Sequence, residues 1–431
     1  MRRSQFSAQH KLSILLGLAV TLLLAAAAQA ATHEKVLYRF TDGSDGAYPN
    51  SLILDDVGNI YGTAQWGGDL NCSNGWPNSG CGVVFELSPS GHGKWRERVL
   101  YAFQGGTDGI QPVGNLLFDS SNNLYGTTLG GGTDSSCNEP PGCGTVFELS
   151  PQGDGTWTET VLYSFQNGSD GSAPIGLTFD ASGNLYGVTD MGGTVNSPRI
   201  YELSPPEKKG GAWTETTIYT MQNYSWAAPE LLFDGGGNLY STWFPNGCCG
   251  GVFELKYVDR NWQYTDLYDF QGGGNGGEPL SGVLFDNKGN MYGTGVSGGN
   301  DWGIAFELKR VRGEWTQIML HNFCSLNKCA DGAGPYAPLV FDQAGNLYGT
   351  TEVGGATCSA DRDGCGVVFK LAPMKTGKWE ETVLYSFQGG LDGYGPGYSV
   401  TLDGKGHIYG TTQMGGTSSG QGYGTVFEVT P

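Results

Sequence analysis

A motif close to V-L-Y-x-F begins at Val36, Val99, Val161, Thr217, Asp266, Met319 and Val383, so it returns every 49 to 64 residues. Each copy is followed by L-x-F-D, then G-N-L-Y-G-T-T, then G-T-V-F-E-L, then W-T-E-T leading into the next copy. Self-similarity at this period requires an array of like units that bury their apolar faces against one another. Each unit holds four β-rich runs; in the second they are Leu116–Asp119, Asn123–Leu129, Gly144–Ser150 and Trp157–Phe165. Along the last, Trp157, Val161, Tyr163 and Phe165 share one parity and Thr158, Thr160 and Ser164 the other, the period of a strand. Four strands per unit and seven units predict an all-β chain folded as a seven-bladed β-propeller. A β-solenoid is the alternative, but its coils are much shorter than these units. With 74 Gly among 431 residues an all-α fold is excluded, and the glycines lack the three-residue period of collagen.

The two ends of the array are complementary. The first unit opens with only a fourth strand, Glu34–Phe40, and the last closes with only a third, Gly424–Val429. Pairing them would complete the seventh blade, close the ring and remove exposed sheet edges. One domain over residues 31–431 is expected, as a monomer. Turn lengths separate two faces. Tight D-x-x-G-N turns (Asp180–Asn184) and short Ser-Pro-Gly turns (Ser150–Gly153) share one end of each blade. The other end carries long second-to-third loops and fourth-to-first loops built on D-G-x-x-P, as in Asp108–Pro112. Long loops on a rigid scaffold carry function, so the loop-rich face is the working face.

Residues 1–30 read as a secretory signal peptide: Arg2, Arg3 and Lys11 precede an apolar run from Leu12 to Ala28, and Ala28-Gln29-Ala30 suits cleavage. A membrane anchor is the alternative, although the run is slightly short for a span. Export fits the ten cysteines, which fall into five local pairs: Cys72/Cys81, Cys137/Cys143, Cys248/Cys249, Cys324/Cys329 and Cys358/Cys365. No C-x-x-C occurs and no His lies near a pair, which argues against zinc. The vicinal pair is the doubtful disulfide, because adjacent Cα atoms sit about 3.8 Å apart, below the usual span. A net charge of −19 repels phosphate backbones and anionic lipid surfaces, so nucleic acid and membranes are not expected partners. Acidic polysaccharides are disfavoured too, unless a local basic patch intervenes.

Residues present in every blade are structural first. The Glu of F-E-L (Glu86, Glu148, Glu202, Glu254, Glu307, Glu428, with Lys370 in the seventh place) cannot make an acid and a base of different strength from near-identical surroundings. Asp42-Gly43-Ser44-Asp45-Gly46 loosely resembles a calcium loop but lacks the rest of that spacing; no other cofactor is implied. Departures from the repeat are more informative. The position after G-T-T reads Gln65, Leu129, Asp190, Phe244, Val296, Glu352 and Gln413. Asp190 and Glu352 are its only carboxylates, and two carboxylates are the minimal kit for glycoside cleavage when they lie about 5–9.5 Å apart. Solvated rim charges are the plainer reading. Of the 11 Trp, those outside the fourth-strand position are Trp66, Trp76, Trp226, Trp243 and Trp302, all on loop-rich connections, with Tyr48, Tyr336, Tyr394, Tyr398 and Tyr423 beside them. Aromatics there either cap the core under the loops or stack on sugar rings. With His33, His92, His321 and His407 at the terminus, in turns or on a fourth strand, no Ser-His-Asp arrangement can be assembled.

The unit G-T-V-F-E-L-S-P…W-T-E-T-V-L-Y-S-F…D-G-x-x-P…L-x-F-D-x-x-G-N-L-Y-G-T-T resembles the GloVer tandem repeat of exported bacterial proteins. Copies one, two, six and seven match closely; copies three to five drift, with Arg199, Ser241 and Lys256 replacing usual letters. The resemblance implies an exported, propeller-like repeat protein and no particular activity. Many relatives carry a C-terminal sorting segment, whereas this sequence stops on a strand at Thr430-Pro431, so free secretion is expected. The functions that remain are recognition of a glycan or another extracellular ligand, polysaccharide cleavage through Asp190 and Glu352, or an adhesive role with protein partners.

Overall fold

Strands whose two parities both carry apolar residues must be covered on both sides, as a blade is by its neighbours. In the computed structural model they form seven antiparallel four-stranded sheets set in a ring. The structure describes residues 32–431 except 73–78, 139, 192–196, 209, 223, 246–248, 356–357, 359–362 and 421. The expected signal peptide, Trp76 and Cys248 lie outside the described residues. Blade two runs outward through Ile110–Phe118, Leu124–Gly130, Thr145–Pro151 and Trp157–Ser164. Blade seven takes three strands from the C-terminal end, and the N-terminal strand His33–Arg39 lies antiparallel along Thr425–Thr430, with Glu34 opposite Val429.

One expectation changes. The first strand of blade two begins at Ile110, within the predicted D-G-x-x-P loop, rather than at Leu116. Pro112 stays opposite Thr128 although Gln111 adopts φ 60°, and a register shift between Val113 and Leu117 absorbs the irregularity. A proline is tolerated there because the innermost strand is an edge whose N–H groups need no partner strand. Blades one and three extend likewise, from Ala47 and Ser172.

Two close approaches join each blade to the next. The Gly of Y-G-T lies opposite the Phe of F-E-L, as in Gly126↔Phe147 and Gly349↔Phe369. A Cβ on either glycine would come within 2.5 or 2.7 Å of that ring. Freed to lie flat, Phe147 and Phe427 are fully buried and meet edge-on the phenylalanines that end the preceding outer strands, Phe103 and Phe387, at 5.1 Å each. Phe40 and Phe85 repeat the contact at 5.1 Å between blades seven and one. Nearer the loop-rich face, the glycine that opens G-T-V-F receives the proline of the next blade. A Cβ on Gly144, Gly366 or Gly424 would stand 2.4 to 2.5 Å from Cδ of Pro174, Pro396 or Pro49. The N–H before that proline donates to the residue before that glycine: Ala173 to Cys143 at 2.9 Å, Gly395 to Cys365 at 3.1 Å, Tyr48 to Tyr423 at 2.8 Å. Blade three departs, with Pro198 in the place of the seat glycine.

The turns at the opposite end are closed by their own aspartates. Asp119 accepts from the Asn123 N–H and side-chain amide at 2.8 Å each and from the Tyr125 hydroxyl at 3.2 Å. In blade seven His407 replaces the Asn and reaches Asp403 at 2.8 Å. The D-G aspartates are used in the same way. Asp45 accepts from the Tyr38 hydroxyl (3.0 Å), the Thr41 N–H (2.9 Å) and hydroxyl (2.6 Å), and the Gly43 N–H (3.2 Å), so both oxygens that a calcium loop would offer are engaged by their own loop.

A further group of carboxyls is buried between blades. Glu97, Glu159 and Glu34 each sit beside the tyrosine of the preceding outer strand and a D-G aspartate: Tyr38 and Asp45, Tyr101 and Asp108, Tyr385 and Asp392. Glu381 sits beside Asp331, which holds His321 at 3.1 Å. One oxygen of each of the four is buried without a hydrogen-bond partner. Burial first, then the neighbouring aspartate, pushes Glu34, Glu97 and Glu381 up to about 7 and Glu159 to about 8.

Two predictions follow from these junctions. Gly345 (φ 85°) has nothing within 4 Å of a built Cβ, whereas Gly366 (φ 89°) faces Pro396. Both Ala variants share the left-handed strain of about 1–2 kcal/mol, and Gly366→Ala should lose about 1–3 kcal/mol more in urea unfolding. The buried glutamates set a pH dependence. Unfolded, they ionise near 4.5; folded, near 7 to 8. Their stabilisation is therefore complete below pH 4.5 and drains away as pH rises through 7 to 8. Turn aspartates held low by their hydrogen bonds, such as Asp342 and Asp403, act oppositely and lose theirs only below their usual range. The melting temperature should be higher at pH 5 than at pH 8, and Glu159→Gln should flatten that slope.

Candidate functional site

The seat glycine and its preceding residue determine what the loop-rich face presents. In blades one, two and six that residue is a cystine half, Cys81, Cys143 or Cys365, and the disulfides Cys72–Cys81, Cys137–Cys143 and Cys358–Cys365 fasten the long second-to-third loops to the blade junction. Cys324–Cys329 closes the loop entering blade six. In blade four the place belongs to Cys249, whose carbonyl accepts from Glu278 at 2.7 Å. The four disulfides seen between described residues are those of an extracellular or periplasmic protein. No helix among the described residues is long and apolar enough to cross a membrane.

Blades five and seven put aromatic residues in that place. The Trp302 carbonyl accepts from Gly334 at 2.9 Å, and Tyr423 takes the same part toward Tyr48, with the two rings edge-on at 6.3 Å. Trp302 is 41% exposed and Tyr336 40%, so both rings are open to a partner. They are tied through one residue: the Gly334 carbonyl accepts from Tyr336 at 3.1 Å and from Glu352 at 2.9 Å. Gly395 repeats the pattern one blade on, accepting from Gly397 at 2.9 Å and Gln413 at 3.1 Å. In blades one, two, three and five the residue before the proline carries a side chain at positive φ (Tyr48, Gln111, Ala173, Glu278), between 52° and 60°. In blades six and seven it is Gly334 and Gly395. The Tyr336 ring lies over Gly334, 3.1 Å from a built Cβ, and Glu352 lies 3.9 Å from one on Gly395, next to Tyr336 and Tyr398. The register of D-G-x-x-P against the repeat was the signal for Gly334 and Gly395, and neither stands out as a residue type in so glycine-rich a chain.

The electrostatics of this arc are acidic. Burial and Glu352 push the Tyr398 phenol up to about 12, and Tyr336 is raised by burial, Glu352 and Glu278. Asp190 lies apart: burial alone raises its carboxyl to about 6. Glu352 acts on the two tyrosines, whereas among the described residues burial is the only influence on Asp190, so the two carboxylates stand in separate surroundings. Arg199 is 4% exposed and donates to the Ser169 carbonyl at 2.7 Å and the Ser197 carbonyl at 2.6 Å, which leaves it inside the blade.

The remaining candidate residues are dispersed. Gln65 and Trp66 are half-buried at the end of the second strand of blade one. Trp243 packs on the core between blades three and four, where a Cβ on Gly251 would lie 2.9 Å from its ring. Trp226 lies on the strand Tyr224–Ala227, its backbone opposite Phe244.

Comparison with known proteins agrees with this architecture. An ulvan lyase of a new polysaccharide lyase family, solved with -[GlcA(1-4)Rha3S]- bound, shares 11% identity over 91% of this chain and 95% of its own, with a TM-score of 0.51. A Bacteroides uniformis protein provisionally named a 6-phosphogluconolactonase shares 14% identity over 77% of this chain and 83% of its own, with a TM-score of 0.46. A Dyadobacter fermentans protein of unknown function shares 13% over 82% and 98%, with a TM-score of 0.44. At these identities the likeness is one of fold. Among curated proteins none matches in sequence. The model of the Gloeobacter/Verrucomicrobia repeat matches residues 135–325 and 208–427. Those matches cover more than half of the chain, which belongs to the Gloeobacter/Verrucomicrobia repeat family.

Proposed function

We propose that the protein is a secreted recognition module that binds a neutral glycan on the arc formed by blades five to seven. The observation that carries this reading is the pair Trp302 and Tyr336, exposed rings held on a rigid junction through Gly334. Aromatic faces stack on the C–H faces of pyranose rings, while Glu352 and Gln413 offer hydrogen-bonding groups alongside. Neutral polymers suit the arc better than acidic ones. Its charged members, Glu352 and Glu278, are anionic, and Arg199 is engaged inside the blade. Cleavage is the second reading, favoured by the raised Asp190 carboxyl, which holds its proton into the range where a general acid works. It lacks a partner carboxylate coupled to Asp190.

Electrophoresis in native gels cast with neutral polysaccharides tests both. The wild-type protein should be retarded by at least one polymer and leave it intact. Trp302→Ala with Tyr336→Ala should abolish the retardation, and Asp190→Asn should not change it. Unaltered mobility in every neutral polymer would refute glycan recognition. A cleared track would replace binding by cleavage, with Asp190 the first residue to test.

A further inference from the structure

The loop-poor face has a cleft of roughly 520 Å³ between blades four and five, within the 300–1,000 Å³ span of small-ligand sites. Tyr240 lines it from blade four and the fourth-strand Trp315 from blade five, with Arg310 over the indole, its guanidinium carbon 4.9 Å from the ring centre. Phe233 and Phe285 complete the aromatic walls, and Lys288 and Arg310 stand at the rim.

We propose that this cleft binds an acidic saccharide, a pyranose unit carrying a carboxylate. Two observations converge on that class. The walls are aromatic, which suits the apolar face of a sugar ring. The two rim cations are exposed and have no ion pair or side-chain hydrogen bond among the described residues. Asp234 and Asp286 also line the cleft, but their oxygens already accept from their own turns: the Asn238 amide and Tyr240 hydroxyl for Asp234, the Asn290 amide and Tyr292 hydroxyl for Asp286. Lys256, Lys309 and Arg312 stand on the same edge of blades four and five. Asp234 and Asp286 stay ionised within their turns, so the lining itself is balanced, and it is these further cations along the edge that favour an anion on a chain of net charge −19. Arg310 can take a carboxylate through two parallel N–H bonds, with Lys288 as the second point charge. The site lies on the opposite end of the blades from Trp302 and does not rest on the glycan reading of that face.

Isothermal titration of the full protein with digalacturonic acid tests the proposal, with cellobiose as the neutral control. Binding of the acidic sugar should be at least tenfold tighter than that of cellobiose and should weaken as salt rises from 20 to 500 mM. Lys288→Gln with Arg310→Gln should reduce it at least tenfold, while Lys288→Gln alone, which removes no packing contact, should weaken it without changing the melting temperature. Trp302→Ala should leave it unchanged. Absence of heat with digalacturonic acid, equal binding of cellobiose, or full binding by the Lys288/Arg310 variant would each overturn it. Loss of binding on Trp302→Ala would move the acidic sugar to the other face and overturn it as well.

Discussion

The missing Cβ at the blade junction is the constraint on which the rest of this molecule depends. A propeller must fit wedge-shaped sheets around an axis, and here the fit is made by letting one backbone enter the space of another side chain. Gly126 and Gly349 admit the rings of Phe147 and Phe369, while Gly144 and Gly366 admit Pro174 and Pro396. Each close approach aligns a second interaction: the buried edge-on phenylalanine pair in one case, the N–H···O bond across the junction in the other. Interiors packed this tightly tolerate little volume change, so the repeat has to conserve its own letters wherever neighbouring blades touch.

Function can enter only where that packing leaves freedom, and the residue before the seat glycine is such a place. Its carbonyl is fixed by the next blade, but its side chain is not. A cystine half there fastens a long loop, as Cys81, Cys143 and Cys365 do. An aromatic residue there offers a ring on a rigid stem, as Trp302 does. The pre-proline position has similar latitude: Tyr48, Gln111, Ala173 and Glu278 bear the left-handed conformation, and at Gly334 the Tyr336 ring takes the space a side chain would fill. The candidate site is thus a set of substitutions at two structurally pinned positions rather than an insertion.

The period of the sequence made the fold legible: V-L-Y-x-F, Y-G-T and F-E-L each mark a strand whose neighbours are dictated by the next copy. Less legible was the start of the innermost strand. Gly109 and Pro112 carry the composition of a loop, yet Ile110–Phe118 is continuous because an edge strand does not need the proline's missing N–H. Subtracting the repeat from the tryptophans separated Trp302 from its fourth-strand relatives, but it could not separate Trp302 from Trp243. Both depart from the repeat, and only the packing of Trp243 against Gly251 assigns it to the core. Asp190 and Glu352 occupy equivalent positions, and their different surroundings arise from loops that composition does not describe.

Charge is the other property that the linear sequence averages away. A net charge of −19 describes the chain as uniformly hostile to anions. In the fold, the carboxylates of the turns and of the blade interfaces are occupied by donors or kept protonated by burial, as Asp119 and Glu159 are. What a ligand meets is set by where charge falls on each face: on the loop-rich arc Glu352 and Glu278 stand beside a tyrosine, and on the lower edge of blades four and five Lys288 and Arg310 stand beside aromatic walls. The drifting copies of the repeat supply that second set: copy four places Lys256 where copies one to three and six have Ser or Ala, and copy five places Lys309 and Arg310 where copies one to three have Ser-Pro. The same departures that bring cations to this edge also put Arg310 over the Trp315 ring at the rim of the cleft.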